Sequence, residues 1–366
     1  MQLGFFTMPI HPLNKDWRRS LAEDREAFVL ADKLGFSEGY VGEHSTDQAE
    51  NITSCIAFVA WLAHETKSIR LGTGTVNLPN THPVAVASTI AMLDHMLDGR
   101  FNFGISPGGL LSDAEAFGNL DKNRTEMFVE AIDMILAIWR SGPPYDLHGK
   151  HWNISTATTL IPEIGQGVLP KTLQRPHPPI VVTAVAPHSK GLMSAAARGW
   201  SPISANFLLP KWVATHWPMY AEGCRQANLT ADASQWRVAR SVFVADDLHT
   251  AREYVFGANS PYRYYYKQIL EKMRRGGRSV LFKEDPSIPD DQVTVDGLLE
   301  KLVTWGTVDK VVDDVLAFRD TVGDFGTLLY AGKDWADPVL SRRSMELMAH
   351  KVMPAVNQAL SASKRS

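Results

Sequence analysis

A repeated alternation of short β-rich runs with longer amphipathic stretches constrains this chain more than any other feature. Leu3–Met8 reads as a buried strand, and Ser20–Leu34 places Leu21, Phe28, Leu30, Ala31 and Leu34 at helical spacing before Gly35 closes the helix. Phe36–Gly42 follows as a strand, Ser54–Thr66 as a buried helix, and Ile69–Leu78 as a third strand. Pro83 suits the first turn of a helix running to about Leu97, and Arg100–Ile105 is a fourth strand. These units begin roughly 33 residues apart, near the minimum for a βαβ crossover. Pro179–Ala184, Gly199–Ser204, Trp236–Val244 and Gly326–Tyr330 supply four more strands, with helices such as Lys211–Ala227 and Val308–Thr321 between them. Eight strands with intervening helices predict an α/β fold of the (β/α)8 barrel type. A dinucleotide-binding sheet is disfavoured because no Gly-x-Gly-x-x-Gly follows the first strand.

At 366 residues the chain is long enough for two domains or for one decorated barrel. The strand count favours one barrel domain over 1–366, with insertions at 145–171 and 274–294. The first is rich in turn residues. The second, with Gly276-Gly277 and an acidic, proline-bearing run over Glu284–Asp291, has the composition of a mobile lid or partly disordered loop. The tail Ser361–Ser366 is expected to fray. With 37 basic against 40 acidic residues there is no excess positive charge to attract nucleic acid. The longest apolar run, Cys55–Ala63, has 9 residues and does not approach a membrane span. The first residues lack a secretory signal, so a soluble cytoplasmic protein is expected. Cys55 and Cys224 make neither a disulfide framework nor a metal pair, and His148-x-x-His151 lacks accompanying ligands, so no metal is expected.

Barrel enzymes place their chemistry where strands end. Here the strand ends carry Glu43-His44-Ser45, Thr73-Gly74-Thr75-Val76-Asn77, Ser106-Pro107-Gly108-Gly109 and Val185-Ala186-Pro187-His188-Ser189. His44 reads either as a general acid–base or as a histidine hydrogen-bonded into the barrel wall. Glu43, pointing to the opposite face, is expected in a structural ion pair. Ser106 has neither a nucleophile-elbow context nor an evident His/Asp pair to activate it, so it reads as a hydrogen-bonding hydroxyl. Ser189, before a helix starting near Lys190, is either a phosphate ligand or an ordinary N-cap.

These residues resemble the bacterial luciferase-like flavin monooxygenase family. The likeness runs through Gly42-Glu43-His44, Leu71-Gly72-Thr73-Gly74-Thr75-Val76-Asn77-Leu78-Pro79 with His82-Pro83, Phe103-Gly104-Ile105-Ser106-Pro107-Gly108 and Ala116-Phe117-Gly118. Gly149-Lys150-His151-Trp152 and Trp305-Gly306-Thr307 bring it nearest to the limonene-type and diketocamphane-type (type II Baeyer–Villiger) members.

The resemblance implies a TIM barrel that uses FMN as FMNH2, supplied by a separate NAD(P)H:flavin reductase, with O2 as co-substrate. Oxygen would react at the flavin C4a to give a (hydro)peroxide, and one oxygen atom would enter a small, largely apolar substrate such as a cyclic ketone or terpenoid. By the same resemblance His44 is the active-site histidine, and Gly74-Thr75 falls where members hold a non-proline cis peptide. Asn77 and Ser106 line the isoalloxazine site, and Val185, His188 and Ser189 fall on the phosphate side. Pro107 stands where luciferase has a phosphate-binding arginine, which shifts that task to the backbone, Ser189 and Arg124. Phe6 and Trp152 are the candidates for the substrate pocket, and a homodimer is implied. The alternatives are an F420-dependent hydride-transfer enzyme of the same superfamily and a flavin-binding protein without turnover.

Overall fold

Phe101, Phe103 and Ile105 alternate with Asn102 and Gly104, yet all five residues are buried, as in a parallel strand covered on both faces. That pattern recurs in the computed structural model, which describes residues 1–8 and 10–363. The strands are β1 (Gln2–Thr7), β2 (Glu38–Val41), β3 (Arg70–Thr73), β4 (Val76–Asn77), β5 (Phe101–Ser106), β6 (Asp146–His148), β7 (Asn153–Ser155), β8 (Ile180–Ala184), β9 (Ser201–Ser204), β10 (Arg237–Val244), β11 (Val303–Gly306) and β12 (Thr327–Ala331). The main sheet runs β11–β10–β12–β1–β2–β3–β5–β8–β9, with β10 also pairing β9 and β4 pairing β5. Eight of these strands correspond to the eight read from the sequence, and the fold is a (β/α)8 barrel.

Three differences from the sequence reading have local causes. Ile69–Leu78 is not one strand: a cis Gly74–Thr75 peptide separates β3 from β4, and Leu78–Asn80 turns into a 3-10 helix. Lys211–Ala227 is two helices, Pro210–Val213 and His216–Gln226. The strand β11 lies outside the eight and pairs in parallel with β10, Ser241 opposite Val303.

The segment 145–171 holds its own antiparallel hairpin, β6 with β7. The segment 274–294, expected as a mobile or disordered loop, instead forms 3-10 turns at Ser279–Phe282 and Asp290–Gln292, with Leu281 and Phe282 buried. Lys283 pairs with Asp290 at 2.5 Å, and Arg274 donates to the Asp290 and Val293 carbonyls. The tail is helical through Ser363, and the remainder of the expected frayed end lies outside the described residues. Among the described residues no helix is long and apolar enough to cross a membrane.

Two compact units divide the chain. In the unit formed by Met1–Gly39, Gln48–Asn51 and Val182–Ser366, Phe5 packs edge-on against Phe28 at 4.9 Å. Its least expected feature is a buried charge cluster. His11 stands between Asp24 (3.0 Å) and Asp334 (2.5 Å), and Lys15 joins Asp334 to Glu23. Burial disfavours the His11 cation, but the two carboxylates outweigh it and raise the group from 6.5 to about 9. A pKa raised on folding stabilises the native state fully below the ordinary value and ceases to do so as pH rises through the folded one. We therefore expect the urea midpoint to fall between pH 6.5 and about 9, and the fall to vanish in His11→Gln. An identical pH profile in the variant would show that His11 contributes nothing to it.

In the unit formed by Tyr40–Asp47 and Ile52–Val181, Phe103 packs between Phe101 and Trp139, and Trp139 donates to the Ala87 carbonyl at 3.1 Å. The same register that buries these rings carries Ser106 to the strand's C-terminal end.

Candidate active site

Glu43 and His44 follow β2, and as neighbours in extended chain they diverge. Among the described residues Glu43 makes no ion pair, contrary to the expectation for it. One carboxylate oxygen accepts from the Asn77 N–H at 3.2 Å, and the other from the Cys55 N–H and thiol at 2.9 and 3.0 Å. Neutral donors at the start of the helix Cys55–Leu62 thus satisfy the charge, helped by the positive end of the helix. Burial pushes the Cys55 thiol well above its ordinary value, with Glu43 adding to the effect, so this cysteine is an unreactive donor.

His44 turns the other way, and its Nδ1 lies 3.0 Å from Asp113 Oδ2. Asp113 comes from the short helix Leu111–Ala116 and is 3% exposed. Its other oxygen accepts from the Ser45 and Thr46 N–H groups at 3.1 and 2.9 Å and from the Thr46 hydroxyl at 2.7 Å. Burial opposes ionisation of Asp113, but the hydrogen bonds from His44 and Thr46 outweigh it and hold the carboxyl below its ordinary value. An ionised Asp113 only accepts, so His44 carries its proton on Nδ1. Sequence reasoning missed Asp113. It lies 69 residues from His44 in an unremarkable acidic helix, and its one signal is its place just after the strand-end run Ser106–Gly109.

Thr75, Asn77 and Ser106 converge. The Thr75 hydroxyl donates to Ser106 Oγ at 2.7 Å, Ser106 donates to Asn77 Oδ1 at 2.8 Å, and the Gly108 N–H donates to Ser106 at 3.2 Å. With one proton given and two bonds received, the Ser106 hydroxyl is fully engaged, so it positions Thr75 and Asn77. Gly74 sits at the cis bond beside Thr75. The Arg124 guanidinium donates to the Gly108 carbonyl at 3.1 Å and braces the same turn.

Val185, His188 and Ser189 lie in the other unit. His188 has φ +48°, and its N–H donates to the Thr215 hydroxyl at 2.9 Å. Ser189 precedes the helix Lys190–Ala197 without a side-chain capping bond, which leaves its hydroxyl for another partner. Arg278, a second residue missed from sequence, donates to the Val185 carbonyl at 3.2 Å. Its only signal was a cation after Gly276-Gly277 in the segment read as a lid.

The two substrate-pocket candidates have different settings. Phe6 is buried in β1. Trp152 is half-buried, with its backbone N–H on Glu130 at 2.9 Å. It lines a cleft of about 230 Å³ with Asn80, His82, Asn119, Lys122 and His151, more polar than the apolar pocket expected of it. His148 bonds Asp146 and Asn153, whereas His151 faces Glu126 at 3.9 Å, so the two histidines do not converge. Among the described residues no group of three His, Cys, Asp or Glu side chains is arranged to hold a metal ion.

Known proteins match both the sequence and the fold. The chain is 31% identical over 98% of its length to 4-hydroxyprotoasukamycin monooxygenase of Streptomyces nodosus subsp. asukaensis, covering 93% of that protein. It is 27% identical over 98% of its length to limonene 1,2-monooxygenase of Rhodococcus erythropolis, covering 87% of it. The oxygenating constituent of 3,6-diketocamphane monooxygenase from Pseudomonas putida, a type II Baeyer–Villiger monooxygenase solved with FMN, superposes with a TM-score of 0.86. That alignment has 26% identity and covers 97% of this chain and 98% of that one. The family model described as luciferase-like monooxygenase matches residues 1–324. The chain belongs to the luciferase-like monooxygenase family.

Proposed function

We propose that this protein is the oxygenase component of a two-component system. It would use FMN, delivered reduced by a separate NAD(P)H:flavin reductase, and O2 to place one oxygen atom in a small, largely apolar molecule such as a cyclic ketone or terpenoid. The observation that carries the proposal is the joint presence, at adjacent strand ends, of the Thr75–Ser106–Asn77 cluster and the oriented His44–Asp113 pair. The description of the diketocamphane relative as an FMN-bound oxygenating constituent supports both the cofactor and the reductase.

The donor set fits FMN. Thr75 and Asn77 are neutral groups suited to the polar edge of an isoalloxazine, with Gly74 allowing close approach and Ser106 holding them in place. The Ser189 hydroxyl, the start of the helix Lys190–Ala197 and the Arg278 guanidinium have the chemistry of a phosphate site; the Val185 carbonyl holds Arg278, and His188, tied through its N–H to Thr215, shapes the turn before Ser189. When bound and reduced, FMN supplies two electrons to O2, so that one oxygen atom enters the substrate and the other leaves as water. The protein's share is orientation, exclusion of water and proton handling at His44 Nε2, with Asp113 fixing the ring. Phe6 and Trp152 remain our candidates for substrate contact, and we read 1–366 as one functional barrel. A homodimer agrees with the exposed Met92, Met96 and Trp61, near a cavity of about 410 Å³ walled by Ala57, Ala60, Ala85 and Thr89.

The test is anaerobic titration with reduced FMN and with reduced F420, then mixing with 18O2 and a panel of cyclic ketones and terpenoids. FMN binding and a product heavier by one labelled oxygen are expected. Preference for F420, or FMN binding with no labelled product, would overturn the proposal. Ser106→Ala is expected to weaken FMN about 10-fold by releasing Thr75 and Asn77, a loss of about 1.4 kcal/mol readable by fluorescence titration. Unchanged affinity would remove Ser106 from the cofactor site.

A further inference from the structure

The loop leaving β12 carries a lysine that the reading above leaves unused. Lys333 lies two residues beyond the strand's C-terminal end, on the rim where barrels of this type gather their active groups, and is 9% exposed. Its loop is tied to the first strand, because the Gly332 N–H donates to the Phe6 carbonyl at 2.8 Å. The ammonium stands 4.1 Å from the Tyr265 ring centre and 5.8 Å from that of Tyr262, both on the helix Pro261–Arg275. Nζ donates to the Ala331 and Gly332 carbonyls at 3.1 and 3.3 Å. A lysine has three donors, so the third has no protein acceptor among the described residues.

The surrounding ionisable groups are engaged elsewhere. Asp334 faces His11 and Lys15, and Glu50 pairs with Lys272 at 2.5 Å. The Tyr265 hydroxyl bonds the Asn206 amide at 3.1 Å, the Tyr262 hydroxyl the Val242 carbonyl, and Tyr266 meets Ser241 at 3.0 Å. Burial without a carboxylate partner lowers the Lys333 ammonium to about 7. The two rings offset part of the desolvation through cation–π attraction. A methionine would fill the same aromatic cage with no charge to desolvate, so packing alone does not account for an amine here.

We propose that Lys333 recognises the substrate by donating its third N–H to a carbonyl oxygen, so that the preferred substrate is an apolar molecule carrying a ketone. This rests on the oxygenase reading and deepens it by naming the substrate's polar handle. Only the charged form has this third N–H, because the neutral amine keeps two hydrogens and the Ala331 and Gly332 carbonyls take both.

The experiment compares cyclohexanone with methylenecyclohexane, in which a CH2 group replaces the carbonyl oxygen, binding to the FMN-loaded full chain by calorimetry. The wild type is expected to prefer the ketone about 10-fold. Lys333→Met should bind the two alike, and Lys333→Arg should keep the preference. No preference in the wild type, or one that survives Lys333→Met, overturns the assignment. Competitive acetylation of the wild type with acetic anhydride, read by peptide mass spectrometry, needs no variant to fold. Cyclohexanone should slow labelling of Lys333 about 5-fold or more and methylenecyclohexane should not. Unaltered labelling, or an amine that never reacts, counts equally against it. FMN affinity measured on the same samples separates the two readings. Lost ketone preference with intact FMN binding sinks only the role of Lys333, whereas absent FMN binding sinks the oxygenase reading and leaves the labelling of the cofactor-free protein to decide Lys333.

Discussion

Replacing His44 with Asn is expected to lower coupled product formation by about 10²–10³-fold while FMN affinity stays within about threefold. The imidazole is held by Asp113 at 3.0 Å and takes no part in the Thr75–Ser106–Asn77 bonds, so its loss would remove the proposed proton carrier without loosening that cluster. Asparagine matches the size of the ring's first atoms but does not titrate near neutrality. Asp113→Asn probes the same pair from behind. The new amide presents a donor where Nδ1–H needs an acceptor, which favours the wrong tautomer, and coupled turnover should fall about 10-fold or more. Because Asp113 titrates below the ordinary carboxylate range, its hold on His44 is present above that range and fades only as pH drops through the lowered value. Product and hydrogen peroxide are measured together. Full coupled turnover in His44→Asn would remove this residue from the chemistry.

Gly104→Ala is expected to destabilise the fold by about 4 kcal/mol or more, or to prevent folding. A Cβ at this position would stand 1.7 Å from the Thr73 carbonyl oxygen. That neighbour cannot retreat, because the Thr73 hydroxyl donates to the Gly104 carbonyl at 2.8 Å and accepts its N–H at 2.9 Å. Thr73 leads directly into Gly74–Thr75, so separating β3 from β5 also displaces Thr75 from Ser106. Gly109→Ala is the control. Nothing lies within 4 Å of its Cβ, and it should change stability by less than about 1 kcal/mol. Urea unfolding compares the two, and equal midpoints would mean that the strands accommodate a methyl group.

The barrel was readable because strand and helix periodicities are local properties of the chain. All eight barrel strands fall where hydrophobic runs stop at turn residues, and Ser54 and Pro83 open the helices they were expected to open. The errors have equally local causes. The apolar run through Ile69–Leu78 hides a break at Gly74–Thr75, which hydrophobicity does not register. The acidic, glycine-bearing composition of 274–294 suggested a loose loop, yet the Lys283–Asp290 and Arg274 contacts pin it from within, and composition does not show which residues 7 to 19 positions apart will pair.

By itself the sequence determined the order of the strands and the polar residues at their ends, and with them His44, Thr75, Asn77 and Ser106 as the places to look. Only the tertiary structure decided what each of these groups is bonded to. It turned Glu43 from an ion-pair partner into an acceptor of neutral donors, gave His44 its Asp113, fully engaged the Ser106 hydroxyl and left one donor of the Lys333 ammonium without an acceptor among the described residues. The reason is physical. Periodicity records which face of an element is buried, a property of neighbours along the chain, whereas a side chain's charge state and donor count depend on groups that folding brings together from tens of residues away.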